Sequence, residues 1–463
     1  MRALLFGIIL TVALIAALFY FAHEKDATTS KALWIPLLWL LIISSRPVSM
    51  WLHVNREVTL EDRYTEGSPL DATYYALLLV AGVYVLNRRW VRMKSFLQVN
   101  LPVLLFFFYC GLSVMWADSP PVAMKRWIKA IGDLVMVLVV LTDPNPALAM
   151  RRIFERVGFV LLPLSILFIV FLPSMGSSYD PIDQVTMYFG VTTFKNLLGV
   201  TAMFCGLVAL WSFLAAWQDR AKMHRMQLLI VQAVVMVMAV WLIKKADSMT
   251  SLSCLGLAGI VMVMVSTRWV ERRPAAVFLL VSGTMGIALF ALFMDTGGGM
   301  LQSIGRNSTL TGRTQIWAAV LAQHINPFLG TGFESFWMGN RLQSVWSLSQ
   351  NGIEEAHNGY LELYLNLGWV GLTLLGVLIV SGYRHALTLF HRDPVAGRLR
   401  VALLTAGLIY SCTEAGFRMM SPVWIGFLLA VIAVPNERMT SAQVVMDFPL
   451  RQSVPRKRMR VLQ

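Results

Sequence analysis

His357 stands in Glu354-Glu355-Ala356-His357-Asn358-Gly359-Tyr360, directly before an apolar run. An imidazole that titrates near neutrality is the usual general base. Glu354 and Glu355 beside it could raise or orient its basicity, although a single loop histidine is more often only a solvated polar residue. Cations form the second set: Lys195 in Phe194-Lys195-Asn196-Leu197, Lys244 and Lys245, Arg306, Arg313 and Arg341, and Arg418. Taken singly, such side chains snorkel to an interface. Gathered on one face they would make an anion site, because the planar fork of arginine matches phosphate oxygens. Among acids within apolar stretches, Asp133, Glu362 and Glu414 stand out, and intramembrane acids are functional candidates by default. A helical spacing would let Glu414 pair with Arg418 one turn on. Cys110, Cys205, Cys254 and Cys412 sit in apolar stretches without CxxC pairing, which reads as buried small hydrophobes and not as metal ligands.

These groups must be positioned by membrane-spanning helices. The chain has 463 residues, 57% hydrophobic and only 14% charged, against roughly 25% charged in soluble domains. Apolar runs near the length that spans a bilayer recur throughout. The expected fold is an all-α integral membrane protein, a polytopic bundle of about twelve transmembrane helices (about eleven to thirteen) with one long extracytoplasmic loop. The weakest candidate spans are 32–45 and 127–142. Ala3–Phe21 has the core of a signal peptide but no small-residue cleavage site after it, and is read as a retained first span.

The net charge of +14 does not point to nucleic acid, because the basic residues lie in short loops between spans. Alternate loops near 88–94, 151–156, 220–225, 268–273 and 384–400, with the tail 436–463, hold 23 of the 39 basic residues. That bias places these loops and the C-terminus in the cytoplasm. His357 and the cations named above then fall on the extracytoplasmic side. The expected organisation is N-terminal spans in 1–100, a transmembrane core in 101–294, a long periplasmic loop in 295–360, C-terminal spans in 361–435 and a basic cytoplasmic tail in 436–463. A loop that long is usually functional or disordered. This one carries Trp317, Phe333, Phe336, Trp337 and Trp346, so it is expected to pack on the membrane face, with an amphipathic helix over 311–324.

Several ordered motifs carry a family resemblance. Gly305-Arg306-Asn307-Ser308-Thr309-Leu310-Thr311-Gly312-Arg313 precedes Pro327-Phe328-Leu329-Gly330-Thr331-Gly332-Phe333-Glu334, and Ala356-His357-Asn358-Gly359-Tyr360-Leu361-Glu362 follows. With Phe194-Lys195-Asn196-Leu197 and Ser113-Val114-Met115-Trp116-Ala117-Asp118, they resemble the O-antigen ligase and Wzy polymerase superfamily, nearest the succinoglycan-type exopolysaccharide polymerases. The resemblance covers roughly 100–435. It implies a glycosyltransferase of the bacterial inner membrane whose active site faces the periplasm. The donor would be a polyprenyl-diphosphate-linked oligosaccharide, the acceptor a glycan hydroxyl. Membrane lipids and other polysaccharide-assembly proteins are the further partners. The resemblance assigns His357 as base and Arg313, with Arg306, as diphosphate contacts. The reading of the residues makes Arg313 catalytic as well, adds Lys195 and Arg418 as diphosphate contacts and sets Glu355, Asn358 and Glu414 in support. In one slot where the family often has a basic residue, this chain has Met249, and Lys244 or Lys245 is the candidate substitute.

A diphosphate is already a good leaving group, so cations can stabilise its departure without a metal. The expectation is therefore an inverting, metal-independent reaction without cofactor, with Trp337 and Phe333 stacking on sugars. Three alternatives stay open: a ligase moving glycan to lipid A core or protein, a flippase of lipid-linked sugars, and a membrane scaffold. A transporter would show repeat symmetry and midplane charges. This sequence concentrates polar detail on one face.

Overall fold

A computed structural model describes residues 2–23, 29–53, 68–180, 184–219, 224–271, 273–296, 309–348 and 353–435. Its helices are α1 (Arg2–Phe21), α2 (Trp34–Ile43), α3 (Pro69–Arg88), α4 (Trp90–Val99), α5 (Leu101–Leu112), α6 (Pro120–Leu141), α7 (Pro146–Phe171) and α8 (Lys195–Gln218). There follow α9 (Arg225–Lys245), α10 (Met249–Val265), α11 (Pro274–Thr296), α12 (Thr309–Leu321), α13 (Gly339–Leu348), α14 (Gly359–Arg392), α15 (Pro394–Thr413) and α16 (Pro422–Val431). Proline in the first turn opens α3, α5, α6, α7, α15 and α16, where the missing N–H is an orphan in any case. Side chains of Asn145, Asn358, Asp393 and Ser421 cap the helices that follow them.

Seven of these helices are long and apolar enough to cross a membrane, or up to eight if the pair α4–α5, bent by 87°, is one span. Four shorter apolar helices accompany them. The chain is thus an all-α, multi-pass membrane protein, as its composition requires. The bundle closes round α15, almost wholly buried, while the faces of α1 and α3 are largely exposed, as lipid-facing helices are. All four cysteines are free and buried.

The structure departs from the sequence expectations in several places. A two-stranded antiparallel hairpin, β1 (Ser177–Asp180) with β2 (Val185–Tyr188), lies between α7 and α8, where the sequence reading named no strand. The loop helix α12 starts and ends slightly earlier than expected. Asp133 serves structure: its carboxylate accepts the Trp39 indole N–H at 2.9 Å and the Met420 amide at 2.7 Å, tying α2 and α6 to the turn before α16. Within the C-terminal spans expected in 361–435, α14 is broken at Gly368, where φ is +62°. The loop 327–332 docks into this break. Trp369 N donates to Pro327 O, Thr331 N to Leu365 O and Gly332 N to Asn366 O, so the backbone groups freed by the break are paired. A Cβ on Gly368 would lie 2.3 Å from the Phe328 carbonyl, and one on Gly330 2.4 Å from that of Asn366. Only glycine permits both the backbone angle and the contact.

Candidate active site

Glu414, at the end of α15, is the centre of a polar cluster. Its Oε1 receives Arg313 Nη2 at 2.9 Å. Its Oε2 lies 3.1 Å from His357 Nδ1 and 3.3 Å from Asn196 Nδ2. Glu355 Oε1 lies 3.0 Å from the same imidazole nitrogen. Three helix N-termini lie against residues 411–416. Asn196 is in the first turn of α8, Thr250 in that of α10 hydrogen-bonds Thr413, and Gly359 of α14 packs against Ser411 and Gly416. Helix N-termini present unpaired N–H groups and a positive dipole end, which suits anions.

His357 adopts a left-handed backbone, φ +46°, as does Glu334 at +50°. Such conformations are held by their surroundings and collect at functional sites. The peptide before His357 is gripped from both sides. Ala356 N donates to Glu362 Oε2 at 2.9 Å, and Ala356 O accepts Trp317 Nε1 at 2.8 Å. Glu362 also accepts the Trp337 indole at 2.6 Å. After His357, Asn358 caps α14 by accepting Tyr360 N and Leu361 N, each at 3.0 Å. Glu362→Gln keeps one acceptor oxygen but sets an NH₂ group against Trp337 or the Ala356 amide. It should slow transfer about tenfold at unchanged protein level, since an unpaired buried donor costs about 1–3 kcal/mol. Glycosyl transfer in isolated membranes measures this, and full activity would show that the grip does not orient His357.

Burial works to lower the His357 pKa, but hydrogen bonds to Glu355 and Glu414 and their charges outweigh it and raise it to about 10. Burial likewise works to raise Glu355, and the His357 hydrogen bond and charge, with Arg418 and Arg313, leave it lowered instead. The two carboxylates that clasp the ring thus favour its protonated form.

Arg418 does not pair with Glu414. Residues 414–418 are not helical, and Arg418 Nε turns to Glu334 Oε2 at 3.1 Å, with Nη1 on Glu354 O at 3.5 Å. Burial acts to lower its pKa, and the charges of Glu334, Glu362 and Glu355 raise it further still. Lys195 opens α8, half-buried, one residue before Asn196. Arg306 lies outside the described residues. Arg341 pairs with Asp118 and clamps two loops. Lys244 is exposed, and Lys245 lies 5.1 Å over the Tyr188 ring. Met249 is exposed at the start of α10. Trp337 and Phe333 are 4% and 8% exposed, buried in the packing between the loop and the helices, so they do not present faces to a sugar. Sequence reasoning missed Arg126, near the start of α6. It is buried, and its Nη1 donates to Glu334 O. The signal was available: Lys125, Arg126 and Lys129 sit at the end of α6 away from the basic loops.

Glu355, His357 and Glu414 also form a group whose ligand atoms all lie within 4.8 Å of one another and could hold a metal ion. The Arg313 guanidinium on Glu414 argues against a dication there, since two cations would share one carboxylate.

Residues 248–376 match the model of the O-antigen ligase family. The chain is also 24% identical over 352 residues, covering 72% of it and 77% of the relative, to the exopolysaccharide production protein ExoQ of Rhizobium meliloti (strain 1021). The resemblance read from the motifs is thereby shown: residues 248–376 match the O-antigen ligase family, and that stretch holds Arg313, His357 and the loop between them.

Proposed function

We propose that this chain transfers glycan from a polyprenyl diphosphate to a sugar hydroxyl on the outer face of the cytoplasmic membrane, joining repeat units of an exopolysaccharide or O-antigen. The observation that carries this is the Glu414-centred cluster. It joins His357 and Arg313, both within the family-matched segment, where three helices begin. The relative's name supports polymerisation; transfer to lipid A core or protein is the alternative within the same chemistry. Taking the seven long helices, the bent pair and the four shorter apolar helices each as a crossing, we propose about twelve. The charge-rich α6 brings them to about thirteen. The basic ends meet at one side, where Arg89 faces Asp143 and Arg398 donates to Gln218. That side is cytoplasmic by charge bias, which sets the cluster and the loop 295–360 in the periplasm and the tail 436–463 inside. The domain organisation follows the same division, with 1–100 as N-terminal spans flanking the core.

The acceptor hydroxyl is a poor nucleophile, and a base that removes its proton as the anomeric C–O bond forms lowers the barrier. His357 takes that part. Attack from the face opposite the diphosphate inverts the anomeric carbon. Arg313, Lys195 and Arg418 balance the charge of the departing diphosphate, with Arg306 a further candidate, while Glu355, Glu414 and Asn358 hold the imidazole in place. A second reading follows from the raised His357 pKa: as an imidazolium, His357 would add positive charge at the diphosphate and not accept a proton.

Deletion of the gene in its host, with surface glycan analysed by size, tests the proposal. Accumulated short lipid-linked units mean a polymerase, and long polymer left on its carrier means a ligase. Unchanged glycan would overturn both. Transfer in membrane vesicles should also survive a strong chelator. Loss that a divalent ion restores would assign Glu355, His357 and Glu414 to a metal.

A further inference from the structure

Arg46 follows α2 in the chain and is buried. Its guanidinium reaches three main-chain carbonyls. Nε donates to Thr192 O at 3.2 Å and Nη2 to Gly190 O at 3.0 Å, and Nη2 also meets Met175 O. Met175 precedes the hairpin β1–β2, while Gly190 and Thr192 follow it, so one side chain fastens both of its ends. The rings of Trp51, Phe168 and Phe189 pack round the guanidinium, with centroids at 5.7, 5.6 and 5.8 Å. Arginine suits this place because its planar fork presents donors in several fixed directions, whereas a lysine ammonium is a point charge.

Thr192 stands just before the start of α8, and the chain between it and Asn196 is braced. The Thr192 hydroxyl is shared between Phe189 O at 2.7 Å and Phe194 O at 3.0 Å, and Val191 N donates to Ser165 Oγ at 3.4 Å. Phe194 O also receives Leu197 N at 3.2 Å, in the first turn of α8. One turn further on, Thr201 Oγ1 donates to Ser44 O at 3.3 Å, close to Arg46 in the chain. Residues 44–46 thus hold this part of the chain both before and after Asn196. The Asn196 Nδ2 contact with Glu414 Oε2 is 3.3 Å, near the long limit for such a bond. A shift of about half an ångström would break it. We propose that Arg46 is a positioning residue for glycosyl transfer, holding the backbone of 190–192 so that Asn196 stays on the Glu414 carboxylate. This rests on the glycosyl-transfer reading of that cluster. Arg46 lies outside the family-matched residues 248–376, so the family match assigns it no such part.

The full chain would be followed by amide hydrogen exchange in detergent, and by transfer in membrane vesicles with lipid-linked repeat units extracted from the deletion strain as donor. In Arg46→Gln the amides of 190–198 should exchange about tenfold faster, with those of 356–362 unchanged. Transfer at saturating donor should fall about tenfold at equal protein level, with the donor KM altered by less than about twofold. Asn196→Ala should lose about as much. The double variant Arg46→Gln/Asn196→Ala should be no slower than the slower single one, because both changes break the same contact. Thr192→Val removes the shared hydroxyl and leaves Arg46 in place, so it serves where Arg46→Gln does not fold. Its loss should likewise vanish in the Asn196→Ala background. Unchanged exchange over 190–198 would overturn the holding role, whatever the activity. Full transfer by Arg46→Gln, or losses that multiply in the double variants, would overturn the positioning role and leave the glycosyl-transfer reading standing. Vesicles of the unaltered chain that transfer nothing would instead remove that reading, and this role with it.

Discussion

His357→Ala should reduce glycosyl transfer by about 10²–10⁴-fold, the range that a lost general base covers. Insertion and folding should be unaffected, because the ring is partly exposed and its backbone is held by Glu362, Trp317 and the Asn358 cap and not by the imidazole. The measurement is polymer length in the complemented deletion strain, with protein level by immunoblot. Full rescue by the variant would sink any chemical part for His357. The pH profile then separates the two roles. If neutral imidazole is the working form, the rate should climb as pH rises toward the raised pKa of about 10. If the imidazolium works by its charge, the rate should be level at neutral pH and fall as pH passes through that value. Removing Glu355 or Glu414 should move the turning point down in either case, since their hydrogen bonds and charges hold it up.

Arg313→Lys should lower transfer by about 10–100-fold, equivalent to losing a charged hydrogen bond of about 1.5–3 kcal/mol. One guanidinium nitrogen is spent on Glu414, and the other N–H groups of the fork remain to meet a phosphate. An ammonium is a single point donor and cannot hold the carboxylate while presenting a planar pair to the diphosphate. Initial rates in membrane vesicles at varied donor concentration would measure it, with the loss expected at saturating donor as well as at low donor. A silent Arg313→Lys would show that the guanidinium fork is not used. Charge alone would then be sufficient at that position.

Much of the fold and part of the site were legible in the sequence. Whether a stretch spans a membrane depends on hydropathy over about twenty neighbouring residues, a local property that composition reports directly. The basic loops marked which ends of the spans go together for the same reason. His357, Arg313 and Glu355 stood out by type and by motif.

What hydropathy and motif spacing left open was which charges meet. Glu414 reaches Arg313 and His357 from 101 and 57 residues away, and Arg418 reaches Glu334 across 84. A helical repeat suggested Glu414 with Arg418 instead, but the chain leaves the helix at Thr413, so that repeat never forms. Trp337 and Phe333 looked like free rings because exposure in a loop is decided by what the loop rests on, here the break at Gly368. The sequence by itself determined a polytopic helical membrane protein and named His357 and Arg313 as candidates. Only the tertiary structure decided the partners of each charge, because salt bridges between helices depend on how the helices cross and where the loops dock, and no local pattern encodes either.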